Sequence, residues 1–397
     1  MVGCIRARPV ESGAVNNTPN APMSAGTAER LSADALRGVL MPALADSAFP
    51  GAFAVVGRHD RVLAQLGVGQ LDWEPSPVPD EHSLWDIASL TKVVGMTTAV
   101  MQLVEQGRVD LDAPLQRYLP GWTGTHKDRV RVRDVLTHSS GLPAWRPLYK
   151  EAASAESALA LVYYTPLDTV PRLRMVYSDL GAILLGQLVE RVSGMSLDAY
   201  LERHVFTPLG MRSTGYRPAP SLWPRVAPTE FDPWRQRELR GEVHDENAFA
   251  LGGVSGHAGL FSSGHDMARF ARMLLGGGSL DGVRVVGAET IRRFTARQDS
   301  ALSHRALGWE TATGSNSGGH RLSARAFGHT GFTGTSIWID PERDIFIVLL
   351  TNRVNPTRQN PRIAAVRVAL ADSVLGALYP EAASSAGIPR AAGPPPD

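Results

Sequence analysis

The sequence predicts an α+β fold, in which an antiparallel sheet is flanked by N- and C-terminal helices and interrupted by a large, mostly helical insertion lobe. Hairpin signals occur near both ends of the 397-residue chain, each beside a helical pattern, and helical periodicity dominates the middle. We expect one domain over residues 31–380, with a sheet lobe at about 31–88 and 276–380 and a helical lobe at about 89–275.

The first part of the sheet lobe is predicted to be a helix followed by a hairpin. Residues 32–46 space their apolar residues for a helix, with Ser32 or Asp34 as the N-cap. The apolar runs 52–57 and 62–67 are separated by R-H-D-R, which is typical of a hairpin.

The C-terminal part mirrors this arrangement. Residues 335–340 and 345–351 flank P-E-R-D, and residues 363–378 have the periodicity of an amphipathic helix. Strands from both ends of the chain indicate one sheet closed by the two termini. In the insertion we expect helices at 89–106, 131–137, 179–193 and 196–203, and a site in the cleft between the lobes.

The composition limits the classes of partner and compartment. The formal net charge of +1 gives no strong field for nucleic acid, and no run approaches the roughly 20 apolar residues of a membrane span. Residues 1–30 and 381–397 are predicted to be disordered tails. The N-terminus lacks a signal-peptide apolar region, so we expect a cytoplasmic protein, or a periplasmic one if its start is misassigned. We expect a monomer or a small homo-oligomer, and Cys4 alone can form no disulfide within the chain.

The motif S-x-x-K at Ser89 and Lys92 is the first candidate for chemistry. On a helix these side chains lie on the same face, and Ser89 is expected in the first turn, where free backbone N–H groups favour an anion. A buried lysine can accept a serine proton, whereas arginine cannot, and Lys92, Lys127 and Lys150 are the only lysines. The alternative is a serine N-cap beside a lysine that extends to solvent.

Two further short motifs stand at junctions of predicted elements. Tyr177-Ser178-Asp179 directly precedes the helix 179–193, and His329-Thr330-Gly331 lies at the start of a strand, where a glycine permits close approach of a ligand. Each motif alone favours a structural interpretation, with Asp179 as an N-cap and His329 as a solvated turn residue.

In the order S-x-x-K, Y-S-D and H-T-G, these motifs resemble those of the serine β-lactamase and penicillin-binding-protein superfamily. The resemblance is greatest to the class C β-lactamase-like branch of esterases, D-aminopeptidases and D-Ala-D-Ala carboxypeptidases. The stretches V-R-D-V-L-T-H-S-S-G-L-P and G-E-V-H-D-E-N-A-F-A-L-G-G-V-S-G-H-A-G-L-F-S-S extend it over about residues 32–378. It implies a β-lactamase/transpeptidase-like fold and a serine hydrolase.

The resemblance implies a role for each matched residue. Ser89 would be the acylated nucleophile, Lys92 would assist its deprotonation, and Tyr177 would act as the general base that passes the proton to the leaving group. The backbone N–H groups of Ser89 and Phe332 would form the oxyanion hole.

The substrate-binding positions depart from the lactamase pattern. The second motif usually ends in Asn and the third usually begins with Lys, whereas this chain has Asp179 and His329, followed by Thr330 and Gly331. Asp179 would favour protonated Lys92 and shift the base role to Tyr177. His329 would supply less positive charge for a substrate carboxylate. Both differences argue against efficient β-lactam hydrolysis.

No cofactor is expected, because the sequence contains neither a Walker nor a Rossmann glycine pattern in context. The absence of a G-x-S-x-G elbow argues against an α/β-hydrolase. His244, Asp245, Glu246 and His257 lack a metal-ligand spacing, so we expect no metal and interpret this segment as a wall of the cleft. His138 is expected to be structural.

The sequence therefore predicts a cofactor-free serine hydrolase that acts on a small-molecule ester or peptide through an acyl-enzyme, with an esterase favoured. One alternative is a D-Ala-D-Ala carboxypeptidase-like penicillin-binding protein or weak β-lactamase. Another is a penicillin-recognising module that binds a ligand without turnover.

Overall fold

The computed structural model describes residues 24–313 and 316–380. The helices are α1 Ala25–Ala45, α2 Thr98–Glu105, α3 Val132–Leu136, α4 Leu148–Glu151, α5 Ala155–Tyr164, α6 Asp179–Ser193, α7 Leu197–Leu201, α8 Glu246–Ala250, α9 Gly264–Leu275, α10 Ala288–Thr295 and α11 Ile363–Leu378. The strands are β1 Gly51–Gly57, β2 Val62–Gly69, β3 Trp85–Asp86, β4 Gly215–Tyr216, β5 Phe231–Asp232, β6 Arg237–Glu238, β7 Leu260–Ser262, β8 Ser279–Leu280, β9 Val283–Arg284, β10 Glu310–Thr311, β11 Phe327–Thr330, β12 Ser336–Asp340 and β13 Ile345–Thr351.

The main sheet joins the two ends of the chain. Within the described residues its six strands follow the order β10-β11-β12-β13-β1-β2, and every neighbouring pair is antiparallel. The N-terminal strand β1 pairs directly with the C-terminal strand β13, from Ala52 opposite Thr351 to Gly57 opposite Phe346. The predicted α+β class, both predicted hairpins and closure of the sheet by the two termini are confirmed.

Both faces of the central strands are covered, and every residue of β1 and β13 is buried. Alternate residues of these strands point to opposite faces. Ala54, Val56 and Ile347 pack with α1 and α11, whereas Val55 and Val348 belong to the core on the opposite face. Helix α9 packs against β1 and β13. Helix α9 therefore lies on the sheet, whereas the sequence predicts residues up to about 275 to be part of the helical lobe.

The predicted start of the first helix at residue 32 is wrong, because α1 begins at Ala25. Residues 24–30 are therefore not part of a disordered tail. Ser24 caps the helix by accepting a hydrogen bond from the Thr27 N–H, and Ala28 is 2% exposed in the core beside the sheet. This cap and this packing stabilise the additional turns. Residues 1–23 and 381–397 lie outside the described residues, so the tails predicted there stay predictions.

The predicted helix 89–106 consists of three kinds of helix in succession. A 3₁₀ turn at Ala88–Leu90 is followed by a π-helical segment at Lys92–Thr97 and then by α2. A π segment adds a residue per turn and is common at functional sites. Across the described residues, no helix has the length and apolar character that crossing a membrane requires.

Candidate active site

The backbone before Ser89 has an unusual conformation. Ala88 has a φ of 46°, in the left-handed region that costs energy for a residue with a Cβ. Asp86 Oδ1 accepts a hydrogen bond of 2.8 Å from the Ala88 N–H, and the Thr335 hydroxyl donates to the Ile87 carbonyl at 3.1 Å. These contacts hold the turn from β3 into the 3₁₀ helix, and with it the direction of the Ser89 backbone.

The S-x-x-K pair is in direct contact. Lys92 Nζ donates to Ser89 Oγ at 2.9 Å and to the His257 carbonyl at 2.9 Å, and it forms an ion pair of 2.7 Å with Asp179 Oδ1. Burial lowers the pKa of Lys92, but the negative charge of Asp179, together with the contact with Tyr177, outweighs burial and raises the pKa above its ordinary value. Lys92 is therefore an ammonium at neutral pH and cannot accept the Ser89 proton.

The start of α6 explains how Asp179 is free to pair with Lys92. Ser178 is the N-cap: its hydroxyl accepts from the Gly181 N–H at 3.2 Å and donates to the Pro143 carbonyl at 2.7 Å. The interpretation of Asp179 as the cap is therefore wrong. The Asp179 carboxylate is the first helical side chain and points to Lys92 instead.

Tyr177 lies among four side chains. Its ring centroid is 5.0 Å from Lys92 Nζ and 5.2 Å from Arg305 Cζ, and both distances are within the range of a cation–π attraction. The rings of His138 and His329 lie 4.4 Å and 5.9 Å from it. Two cations therefore lie beside Tyr177 in the pocket that it shares with Ser89.

His138 supports the Y-S-D motif. Its Nδ1 accepts a hydrogen bond of 3.1 Å from the Ser178 N–H, so the ring proton is on Nε2. Burial, together with the charges of Arg305 and Lys92, holds the pKa of His138 well below its ordinary value. This neutral ring packs on Tyr177 and fixes the loop before α6.

His329 is neutral as well. It is 3% exposed, and burial followed by the charges of Arg305 and Lys92 lowers its pKa well below the ordinary value. Its Nδ1 donates to the Thr330 carbonyl at 2.8 Å, so Nε2 carries a lone pair, and this atom has no hydrogen-bond partner among the described residues. His329 thus offers a hydrogen-bond acceptor and no positive charge.

Gly331 allows the third motif to approach the nucleophile. A Cβ at Gly331 would lie 2.1 Å from Thr335 Oγ1 and 2.5 Å from the Ile87 carbonyl, so no other residue fits without movement. Arg367 Nη2 donates to the Gly331 carbonyl at 2.6 Å. Because C=O and N–H point in opposite directions in a trans peptide, this bond turns the Phe332 N–H away from Arg367.

Three arginines share a pocket with Ser89, Tyr177, His329 and Phe332: Arg305, Arg353 and Arg367. Sequence reasoning missed all three, since each is distant in the chain from a motif. Arg353 Nε donates to the Phe332 carbonyl at 2.9 Å. Within the described residues, Nε and Nη1 of Arg305 and Nε of Arg367 are buried without hydrogen-bond partners. Glu310 lines the same pocket, so three guanidinium groups and one carboxyl group surround the space beside Ser89, and positive charge predominates there for a substrate carboxylate.

The two histidines of the segment interpreted as a cleft wall each pair with a carboxylate. His244 Nε2 lies 3.0 Å from Glu230 Oε2, and His257 Nε2 lies 2.9 Å from Asp245 Oδ1. The His257 carbonyl contacts Lys92, and the His244 ring stacks on Phe332 with centroids 5.7 Å apart. These residues border the candidate site.

Comparison with protein families and curated proteins identifies relatives of the chain. The family model described as Beta-lactamase matches residues 36–371. A protein of Salmonella gallinarum (strain 287/91 / NCTC 13346), named "Putative D-alanyl-D-alanine carboxypeptidase", is 34% identical over 313 residues, which cover 71% of this chain and 72% of that protein.

Solved structures with the same fold have less similar sequences. EstCE1, described as a hydrolase with promiscuous acyltransferase activity, has 22% identity and a TM-score of 0.69, and the match covers 88% of this chain and 100% of that one. A penicillin-binding protein homologue from Caulobacter crescentus has 20% identity, a TM-score of 0.69 and coverages of 89% and 99%. A class C β-lactamase has 18% identity, a TM-score of 0.71 and coverages of 88% and 96%. The predicted family resemblance and fold are confirmed.

Proposed function

The chain belongs to the β-lactamase family of serine hydrolases, and we propose that it cleaves an amide next to a free carboxylate, as in peptides that end in D-Ala-D-Ala, through an acyl-enzyme on Ser89. The observation that carries this proposal is the set of three arginines, Arg305, Arg353 and Arg367, that line the pocket of Ser89. The similarity to the curated Salmonella protein supports the same substrate class.

The proposed acylation step assigns each proton to a group. Tyr177 takes the hydroxyl proton of Ser89 as its oxygen attacks the carbonyl carbon, and Lys92 stabilises the developing charge as an ammonium 2.9 Å from Ser89 Oγ. The N–H groups of Ser89 and Phe332 stabilise the oxyanion. The C–N bond then breaks, and Tyr177 returns the proton to the leaving amine. A water molecule, deprotonated by Tyr177, then attacks the carbonyl carbon of the ester. The bond from this carbon to Ser89 Oγ breaks, Tyr177 returns the proton to Ser89 Oγ, and the product carboxylic acid leaves.

The substrate carboxylate would be bound by Arg305 and Arg367. Neutral His329 contributes no charge there, in agreement with the sequence argument, but the arginines supply the charge that a lysine provides in the usual motif. Arginine binds carboxylates through two parallel hydrogen bonds, which also orients the substrate. This arrangement favours a peptide with a free C-terminus over a neutral ester.

A second candidate is the esterase that the sequence favours. The observation for it is the neutral imidazole of His329 in the lining of the pocket, which adds no positive charge beside Ser89. We propose that the enzyme acts as a monomer or small homo-oligomer on small substrates of either kind.

Three substrates test the proposal on the full chain: a diacetylated Lys-D-Ala-D-Ala peptide, p-nitrophenyl acetate and a fluorescent penicillin. We expect release of D-Ala, and a mass increase on the peptide that contains Ser89, with both lost in Ser89→Ala. Turnover of the ester alone would favour the esterase. Activity that survives Ser89→Ala would overturn the mechanism, and absence of any acylation would favour a binding module.

A further inference from the structure

Two adjacent residues, His244 and Asp245, are linked by hydrogen bonds to the site. His244 is linked through Asp86 to the backbone before Ser89, and Asp245 is linked through His257 to Lys92. The His244 backbone N–H donates to Asp86 Oδ2 at 2.6 Å, and Asp86 Oδ1 accepts from the Ala88 N–H at 2.8 Å. Asp86 is 2% exposed, so each of its oxygens is used in a buried hydrogen bond. This chain of bonds ties residue 244 to the strained residue directly before Ser89.

Asp245 reaches Lys92 through His257. The Asp245 carboxylate can only accept, so the bond of 2.9 Å between its Oδ1 and His257 Nε2 places a proton on that nitrogen. His257 Nδ1 lies 2.7 Å from Ser255 Oγ, and the residue is 1% exposed. With both ring nitrogens bound, the residue has one orientation, and its carbonyl accepts the Lys92 hydrogen bond of 2.9 Å.

A purely local role explains only part of this arrangement. Asp245 is the N-cap of α8 and accepts the Ala248 N–H at 2.8 Å on the same Oδ1. A cap needs no histidine, and a buried histidine needs no carbonyl aimed at a catalytic lysine. The hydrogen bonds connect Asp245 through His257 to Lys92. A role in positioning Lys92 explains these bonds, whereas a role as helix cap does not.

We propose that Asp86, Asp245 and His257 are positioning residues for the acylation step. Asp86 directs the Ser89 backbone N–H into the oxyanion hole through Ala88. Asp245 orients His257, whose carbonyl sets the position of the Lys92 ammonium beside Ser89. The inference rests on the roles proposed above for Ser89 and Lys92.

The bond pattern predicts opposite results for the same substitution at two aspartates. Asp245 uses one oxygen for both bonds, so the amide oxygen of Asp245→Asn can keep them. Asp86 uses both oxygens, so in Asp86→Asn an NH₂ group must face a backbone N–H. We therefore expect Asp245→Asn to retain activity and Asp86→Asn to lose it.

The experiment measures kcat, KM and the rate of acylation with p-nitrophenyl acetate, with the thermal midpoint Tm as a check of folding. We expect Asp245→Ala, His257→Ala and Asp86→Asn to lower kcat by about 100-fold, because a misplacement of about 1 Å costs that much, and to change KM by less than about threefold. Asp245→Asn should stay within about fivefold of wild type. The control Asp340→Asn alters a fully buried aspartate that binds Ser323 and Arg343, and it should lower Tm without lowering kcat.

The outcomes separate this inference from the proposed function. If Asp245→Ala and His257→Ala keep wild-type kcat, or if Asp245→Asn is as impaired as Asp245→Ala, the positioning role is wrong. If the loss of kcat follows the loss of Tm in every variant, Asp340→Asn included, the effect is one of stability and the inference is overturned. Activity that survives Ser89→Ala instead refutes the proposed function. His257→Ala leaves the α8 cap intact and therefore keeps the test valid if Asp245→Ala does not fold.

Discussion

Lys92 Nζ and Asp179 Oδ1 form an ion pair of 2.7 Å in which the lysine side chain is 2% exposed and the aspartate side chain 21%. The chain thus places a carboxylate at the last position of the Y-S-D motif, in contact with the lysine of the S-x-x-K motif. The pair holds Lys92 as an ammonium, so the proposed mechanism assigns acceptance of the Ser89 proton to Tyr177.

Replacement of Asp179 by alanine should destabilise the protein, because it leaves a buried ammonium without its counter-charge. We expect a loss of about 3 kcal/mol in the free energy of unfolding, measured with urea at pH 7. The pKa of folded Lys92 lies above its ordinary value of 10.5, so the contribution is complete below pH 10.5 and disappears only as the pH rises through the folded value. The same loss should therefore appear at pH 7 and pH 9.

Asp46→Ala is the matched control for Asp179→Ala. Asp46 pairs with Arg362, and the two side chains are 74% and 49% exposed. Exposed pairs contribute at most about 1 kcal/mol. Equal losses for the two variants would contradict a buried, charge-dependent role of Asp179.

Arg305→Gln should weaken binding of substrates that carry a carboxylate. A charged hydrogen bond contributes about 1.5–3 kcal/mol, so we expect KM for the D-Ala-D-Ala peptide to rise by roughly 10- to 100-fold. The KM for p-nitrophenyl acetate, which has no carboxylate, should change little. Arg343→Gln, which alters an arginine paired with Asp340, is the control and should change neither value. An equal effect of Arg305→Gln on both substrates would argue against a carboxylate subsite.

Local sequence patterns were sufficient for the elements that depend on local periodicity. Residues 345–351 and 363–378 form the strand and the helix that their apolar spacing indicates. Ser89, Lys92, Tyr177 and His329 lie together as the family motifs imply. Each of these inferences required only neighbouring residues or a known motif order.

The other features depend on contacts between distant parts of the chain. Arg305 and Arg367 reach the pocket because of the loop before β10 and the register of α11, and neither carries a sequence signal. The Asp86 bond to His244 spans 158 residues. The π segment at Lys92–Thr97 differs from an α-helix by one residue per turn, and composition does not encode that difference. These features required three-dimensional coordinates.

Gly331→Ala should lower activity strongly, because the added methyl group would meet Thr335 Oγ1 at 2.1 Å and the Ile87 carbonyl at 2.5 Å. Both contacts lie between the third motif and the nucleophile turn, so relief of the clash must move the Phe332 N–H. Loss of one oxyanion donor lowers kcat by about 10²–10³-fold. Gly38→Ala, in α1 with open space around the new methyl group, should retain full activity. Activity of Gly331→Ala near the wild-type level would show that Phe332 is not a donor.

The neutral histidines beside Tyr177 should make stability depend on pH. The pKa values of His138 and His329 lie well below 6.5 in the folded protein because burial and the charges of Arg305 and Lys92 disfavour protonation. The unfolded chain takes up these protons below about pH 6.5. The free energy of unfolding therefore decreases by up to about 1.4 kcal/mol per pH unit for each histidine as the pH falls.

His138→Asn isolates one of these contributions, because the amide oxygen can still accept the Ser178 N–H. We expect the free energy of unfolding to fall less steeply between pH 7 and pH 5 in this variant than in wild type, as measured by urea denaturation at each pH. His320→Asn, at a side chain that is 84% exposed, should keep the wild-type slope. Glu230 does not affect this comparison. Burial raises its pKa, but hydrogen bonds from His244 and Arg358 outweigh burial and lower it to about 2, so its contribution to the free energy of unfolding is lost only below pH 4.5. A slope that is unchanged in His138→Asn would mean that His138 is protonated in the folded protein, which would remove the acceptor that fixes Ser178 beside Tyr177.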